Sequence, residues 1–126
     1  MRVLIVDDSK SVHNFCAELF KKAQGVVLVN AFDGDEAVVT LMTKGPFDVV
    51  LLDWEMPKKS GPETLADIKA RGLQVPVVMM TTKNSPDDIM KMLQAGAAEY
   101  LMKPFTADIL FEKIAYACGR PLSHVA

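Results

Sequence analysis

The chain has 126 residues, half of them apolar, enough to bury one core at the commonest size of a single domain. A net charge of -2 and a pI near 5.6 give no concentrated basic face for nucleic acid. No apolar stretch approaches the ~20 residues of a membrane span, and the first residues run into a strand without a leader, so a cytoplasmic protein is expected.

Apolar, β-branched runs predict strands at 2-7, 26-31, 47-53, 75-81 and 98-102, and helical spacing predicts helices at 10-23, 34-44, 61-71, 86-95 and 106-118. The first run, Val3 to Val6, ends on Asp7-Asp8. The helix after it carries His13, which reads as a surface or half-buried residue, and Cys16. Gly25 suits its end, as Gly45, Gly72 and Gly96 suit later ones. Asp33 with Glu36 has capping-box spacing at the second helix. The third run, Val49 to Leu52, ends on Asp53, and Lys58 and Lys59 in the loop beyond read as solvated. Pro62 and Pro86 suit first helical turns, and Ser85 with Asp88 repeats the capping-box spacing. The fourth run, Val77 to Met80, ends on Thr81, and the fifth, Tyr100 to Met102, on Lys103-Pro104. Met79, Met80, Met90, Met92 and Met102 read mostly as core filling. Cys118 in the last helix, like Cys16, is expected as a buried thiol rather than half of a disulfide. Residues 121-126 form a short tail in which His124 has no partner.

Strands 1, 3 and 4 are continuously apolar, as strands of a parallel sheet covered on both faces are. In such a sheet ligands bind beyond the carboxyl ends of the strands, so Asp7, Asp8, Asp53, Thr81 and Lys103 converge on one crevice. Crowded carboxylates repel, and a hard divalent cation with oxygen ligands relieves that repulsion, which points to Mg2+. One carboxylate can then attack a phosphoryl group, with Mg2+ and Lys103 neutralising its oxygens and Thr81 donating a hydrogen bond. In isolation Asp7-Asp8 reads equally well as acidic residues at a helix N-terminus. Lys103 alone reads as a surface lysine, and Thr81 and Tyr100 as ordinary strand residues.

Val-Asp-Asp-Ser at 6-9, Leu-Leu-Asp-Trp-Glu-Met-Pro at 51-57 with Gly61 beyond, Met-Thr-Thr at 80-82 and Tyr-Leu-Met-Lys-Pro-Phe-Thr at 100-106 resemble, together and in order, a two-component receiver domain. Within that family the chain is most similar to single-domain chemotaxis regulators, through Asp53-Trp54, Met56-Pro57, Gln94 to Ala97 and Lys103 to Ala107. The resemblance implies a receiver domain over 1-120 with the flavodoxin-like (βα)5 fold, a doubly wound α/β sandwich whose parallel sheet runs 2-1-3-4-5. It makes Asp53 the phosphoacceptor and, with Asp8, a direct metal ligand. Asp7 then acts through water, and the main-chain carbonyl of Glu55 completes the protein ligands. It implies a cis bond before Pro104 and a switch in which the Tyr100 ring turns inward as Thr81 moves toward the phosphoryl group. His13 stands where many receivers carry arginine.

Two departures bear on kinetics. Thr82 stands where the family usually has alanine or glycine, narrowing access. Glu55 and Lys83, two residues past Asp53 and Thr81, occupy positions that tune phosphoryl lifetime and are expected to pair across the mouth of the site. The family reading gives a histidine kinase as donor and an output protein, a flagellar motor or another target, on the helix 4, strand 5, helix 5 face. It gives a monomer and a phosphoacceptor rather than a turnover enzyme, and with no DNA-binding module read after helix 5 a stand-alone regulator is expected. A receiver fragment of a larger regulator is the nearest variant. An aspartate-nucleophile phosphohydrolase wants a second Asp where Glu55 stands, and a cap domain. A flavodoxin-like FMN carrier wants a hydroxyl-rich phosphate loop where Asp7-Asp8 stand.

Overall fold

A computed structural model describes residues 1-120; the predicted tail at 121-126, with His124, lies outside the described residues. Five strands, β1 (Arg2–Val6), β2 (Val27–Ala31), β3 (Val49–Asp53), β4 (Val77–Thr81) and β5 (Glu99–Met102), alternate with α1 (Lys10–Phe20), α2 (Gly34–Lys44), α3 (Gly61–Ala70), α4 (Pro86–Gln94) and α5 (Ala107–Cys118). The sheet is parallel in the order β2-β1-β3-β4-β5, as expected.

Right-handed crossovers explain which helix covers which face. The chain steps from β1 outward to β2, then reverses across β1 to β3 and continues to β5, so α1 must lie on the opposite face from α2, α3 and α4. Burial divides accordingly. Val3, Ile5, Val49, Leu51, Val78 and Met80 pack with α1 and α5 through Cys16, Phe20, Leu110 and Ile114. Their strand neighbours Leu4, Val6, Val50, Leu52, Val77 and Met79 pack with α2, α3 and α4 through Leu41, Leu65, Ile68 and Met92. Every residue of β3 and β4 is buried. Each such apolar side chain contributes roughly 1.5–3 kcal/mol, against at most ~1 kcal/mol for an exposed ion pair, so the two apolar layers hold the fold.

Several local expectations change. The second to fifth strands start one or two residues later than predicted, although the Asp48 amide still donates to the Arg2 carbonyl and the Pro76 carbonyl accepts from the Val50 amide. Helix α1 stops at Phe20, and the amides of Lys21, Lys22 and Ala23 donate back to the carbonyls of Ala17, Leu19 and Phe20 before Gly25 takes a left-handed φ of 68°. Glu36 accepts from the Phe32 amide rather than from the Asp33 cap, and Asp88 accepts from the Ser85 hydroxyl. The reciprocal capping box sits at Ser60 and Glu63. Lys59 is not a solvated loop lysine: it bridges Asp35 of α2 and Asp67 of α3. Of the methionines, Met79, Met80 and Met92 are fully buried, whereas Met90 is exposed. Cys16 and Cys118 are free thiols, the second only half-buried. The bonds before Pro46 and Pro104 are both cis, the second as the resemblance implied.

Gly61 opens α3 directly under the end of β3. Its amide donates to the Trp54 carbonyl at 3.0 Å, and a Cβ there would press on the Asp53 carbonyl oxygen and stand 2.7 Å from the Trp54 Cα. Both obstacles are backbone. Gly61→Ala is therefore expected to destabilise the protein by about 2 kcal/mol, the range of an overpacked core, read as a lower urea midpoint at unchanged slope. A midpoint equal to that of the parent chain would show that α3 can slide away freely.

Candidate functional site

The candidate side chains sit where strands end. Asp7 follows β1, Asp53 closes β3, Thr81 closes β4 and Lys103 follows β5. Register keeps them level, with Asp53 opposite Met80 and Thr81 opposite Met102, and the Lys103 amide extends the ladder by donating to the Thr81 carbonyl at 2.8 Å. The winding reverses between β1 and β3, so helices depart to opposite faces and leave a crevice there. Asp7 and Asp53 stand at its two sides.

Asp7, Asp8 and Asp53 bring carboxylate oxygens within 4.8 Å of one another. Lys103 answers them, its Nζ lying 3.0 Å from Asp7 Oδ2 and 3.3 Å from Asp53 Oδ1. Asp7 and Asp53 are buried, whereas Asp8 is exposed at the rim. Burial, with the charge of Asp7 beside it, pushes the Asp53 carboxyl up to about 6, although Lys103 and the Glu55 amide pull the other way. Burial alone would lower the Lys103 ammonium, but its hydrogen bond to Asp7 and the charges of Asp53 and Asp7 raise it. One ammonium thus leaves three carboxylates undercompensated. The donors are all hard oxygens with one carboxylate open to solvent, which suits a divalent cation such as Mg2+.

Thr81, Thr82, Glu55, Asp53 and Lys103 line one cleft of about 170 Å³. The Thr81 hydroxyl accepts from the Lys83 amide at 2.9 Å, leaving its own hydrogen to donate. The Glu55 amide donates to Asp53 Oδ1 at 3.3 Å. The expected pair across the mouth forms, with Lys83 Nζ 3.5 Å from Glu55 Oε1. Both side chains are about half exposed or more, so the contact is worth at most ~1 kcal/mol and bears on access rather than stability. Beside the cleft an apolar hollow of about 390 Å³ opens between α1 and the β5-α5 loop, walled by Val12, Phe15, Pro104 and Phe105.

Tyr100 stands apart from this cleft. It is half-buried on β5, with the Lys113 ammonium of α5 4.1 Å from its ring centre, and Lys113 also pairs with Glu99 at 3.2 Å. His13 corrects the sequence reading: it is 3 % exposed. Its Nε2 lies 2.8 Å from the Asp7 carbonyl oxygen and its Nδ1 2.9 Å from the Asn30 side chain, with the ring against Phe32. The signal was present in the sequence, since His13 shares a helical face with Cys16 and Phe20, three and seven residues on. Cys16 is fully buried, and burial, helped by the Asp7 charge, pushes its thiol up to about 11, so it is inert.

Residues 3–115 match the family model described as the response regulator receiver domain. The chain is 38% identical over 114 residues to the transcriptional regulatory protein DltR of Streptococcus agalactiae, covering 90% of this chain but 50% of that protein, so it spans about half the length of this relative. It is 35% identical over 116 residues to the chemotaxis protein CheY of Pseudomonas aeruginosa, covering 90% of this chain and 93% of that one. Among solved structures, the receiver domain of the Francisella response regulator 1452 superposes with a TM-score of 0.84 at 30% identity, covering 94% of this chain and 96% of the other.

Proposed function

The chain belongs to the response regulator receiver domain family, and from that membership we propose that it takes a phosphoryl group from a histidine kinase onto Asp53, with Mg2+ bound, and reports the change by protein contact. The observation that carries this reading is the set of three carboxylates within 4.8 Å facing one ammonium. Asp8, Asp53 and the Glu55 main-chain carbonyl would hold the metal directly, and Asp7 through water. Bound Mg2+ supplies charge neutralisation for the phosphoryl oxygens.

A free Asp53 carboxylate oxygen attacks the phosphorus in line. The P–N bond to the donor imidazole breaks, its electron pair leaves with the nitrogen, and that nitrogen takes a proton from solvent. Lys103 turns its ammonium from the carboxylates to a phosphoryl oxygen, and the Thr81 hydroxyl donates to another. Glu55, Thr82 and Lys83 at the mouth govern water entry and so the lifetime of the aspartyl phosphate. The protein acts as a phosphoacceptor that loses its phosphoryl group at the same site, not as a turnover enzyme. The apolar hollow beside the cleft suits the side of a donor helix carrying the phosphohistidine.

Output follows as a population shift. Movement of Thr81 toward the phosphoryl group opens space for the Tyr100 ring and re-forms the α4-β5-α5 face for its target. Likeness to CheY over nearly its whole length supports a chemotaxis role; within that reading the protein acts as a monomer, with a flagellar motor as one class of target. Likeness to DltR supports a second reading, the receiver half of a transcriptional regulator. Among the described residues no helix is long and apolar enough to cross a membrane; the phosphotransfer reading places the protein in the cytoplasm.

The test is intact-mass spectrometry after incubation with a small acyl phosphate and Mg2+, beside Asp53→Asn and a chelated control. A labile phosphoryl adduct is expected only with both the metal and Asp53. If none forms, phosphorylated kinase replaces the small donor, and failure there overturns the proposal in favour of a phosphorylation-independent binding module.

A further inference from the structure

We propose that His13 is a positioning residue for the metal site: its imidazole pins the Asp7 backbone and so sets where the acidic loop after β1 holds its carboxylates. Every polar group of Asp7 is tied. Its amide donates to the Ala31 carbonyl of β2 at 3.2 Å, its Oδ1 accepts from the Ser9 amide at 2.8 Å, and its Oδ2 accepts from Lys103 at 3.0 Å. The remaining group, the carbonyl oxygen, accepts from His13 Nε2 at 2.8 Å in a buried bond. A carbonyl only accepts, so Nε2 carries the hydrogen. On the other side of the ring, Nδ1 lies 2.9 Å from the Asn30 Oδ1. The result is a bridge from the edge strand β2, through α1, to the peptide that joins Asp7 to Asp8.

That peptide is the lever. Asp8 is exposed, so little besides the backbone on either side of it decides where its carboxylate points. On the N-terminal side the backbone is fixed by the strand and by His13; on the C-terminal side Ser9 caps α1 by accepting from the Val12 amide. Without the imidazole the Asp7 carbonyl is left buried and unpaired, and the peptide turns to find another donor, carrying Asp8 with it. Partners of this outer kind typically change metal affinity by about 10–100-fold when lost. The inference rests on the metal reading of this site given above.

Two amide replacements separate the two ring nitrogens. In His13→Gln the side-chain nitrogen falls near the former Nε2 and can still donate to the Asp7 carbonyl, whereas in His13→Asn the shorter amide reaches only the Asn30 side. Both lose the ring against Phe32, and the asparagine also leaves one methylene more of empty space, a packing loss that thermal melting reads. Mg2+ affinity is read from the emission of Trp54, the single tryptophan, which directly follows Asp53, with thermal melting alongside. The parent chain and His13→Gln are expected to bind Mg2+ within about twofold of each other, and His13→Asn about tenfold more weakly. Equal affinities in all three, or equal losses in both variants in step with their melting temperatures, overturn the inference. If either variant fails to fold, Asn30→Ala carries the test, since Asn30 is exposed and its removal spares the core. That variant frees the ring and is expected to bind Mg2+ about threefold more weakly, and unchanged binding overturns the inference. A parent chain that binds no Mg2+ at all defeats the metal reading itself, a result distinct from a parent that binds and variants that match it.

Discussion

Replacing Lys103 by methionine is expected to slow phosphoryl uptake by Asp53 by about 10²–10³-fold at saturating Mg2+, the usual loss when one preorganised donor to developing charge is removed. Methionine keeps the half-buried stem packed and deletes only the ammonium that stands 3.0 Å from Asp7 and 3.3 Å from Asp53. The same substitution should strengthen Mg2+ binding. In the resting site the ammonium pairs with two of the three carboxylates, so it competes with the cation for their charge. Rate and metal affinity should therefore move in opposite directions. Stopped-flow emission of Trp54 with an acyl phosphate gives the rate, and a Mg2+ titration of the same sample gives the affinity. A fall in both would mean that Lys103 serves as a strut holding β5 to β1 and β3, with no direct part in the transfer.

Asp53→Asn is expected to stabilise the metal-free protein at pH 7 by up to about 3 kcal/mol, and by less than about 1 kcal/mol at pH 4. The cause is that burial, reinforced by Asp7, pushes the folded-state Asp53 carboxyl from 3.8 up to about 6. The sign follows from which state holds the proton. Below the unfolded value both states are protonated and the residue contributes nothing. Between the two values the folded state keeps a proton that the unfolded chain has released, so raising the pH drains stability. Above about 6 both states are ionised and the whole cost of a buried, crowded carboxylate is present. Asparagine has the same shape and never carries that charge. Saturating Mg2+ should close the gap at pH 7, because it stabilises the parent by mass action and has lost a charged ligand in the variant. Urea midpoints from pH 4 to 8, with chelator and with Mg2+, decide the matter. A gap that stays constant across that range would place its origin in packing and remove ionisation as the cause.

Both predictions concern residues whose placement could be read from the sequence, and for one reason. A chain of alternating strand and helix with right-handed crossovers has few ways to fold, and all of them deliver strand ends to the same side. Asp7, Asp53, Thr81 and Lys103 needed no knowledge of side-chain packing to be brought together, only their positions at the ends of Val3 to Val6, Val49 to Leu52, Val77 to Met80 and Tyr100 to Met102. Helix ends were less legible. Asp33 with Glu36 and Ser85 with Asp88 have the spacing of a capping box, yet the reciprocal pair forms at Ser60 and Glu63, because the choice depends on where the preceding loop leaves the cap amide.

What the sequence by itself determined is the framework and the chemistry: a five-stranded parallel sheet, three carboxylates at its reversal point, a hydroxyl and an ammonium opposite them. These follow from periodicity and order along the chain, which are one-dimensional properties. The tertiary structure alone decided the partners. It turned His13 inward onto the Asp7 carbonyl, drew Lys59 between Asp35 and Asp67, and set Lys113 over Tyr100. Each of these contacts joins elements whose separation along the chain says nothing of their distance in space. Which polar atom meets which is settled only when the apolar layers have closed and every buried donor and acceptor must find a partner within reach.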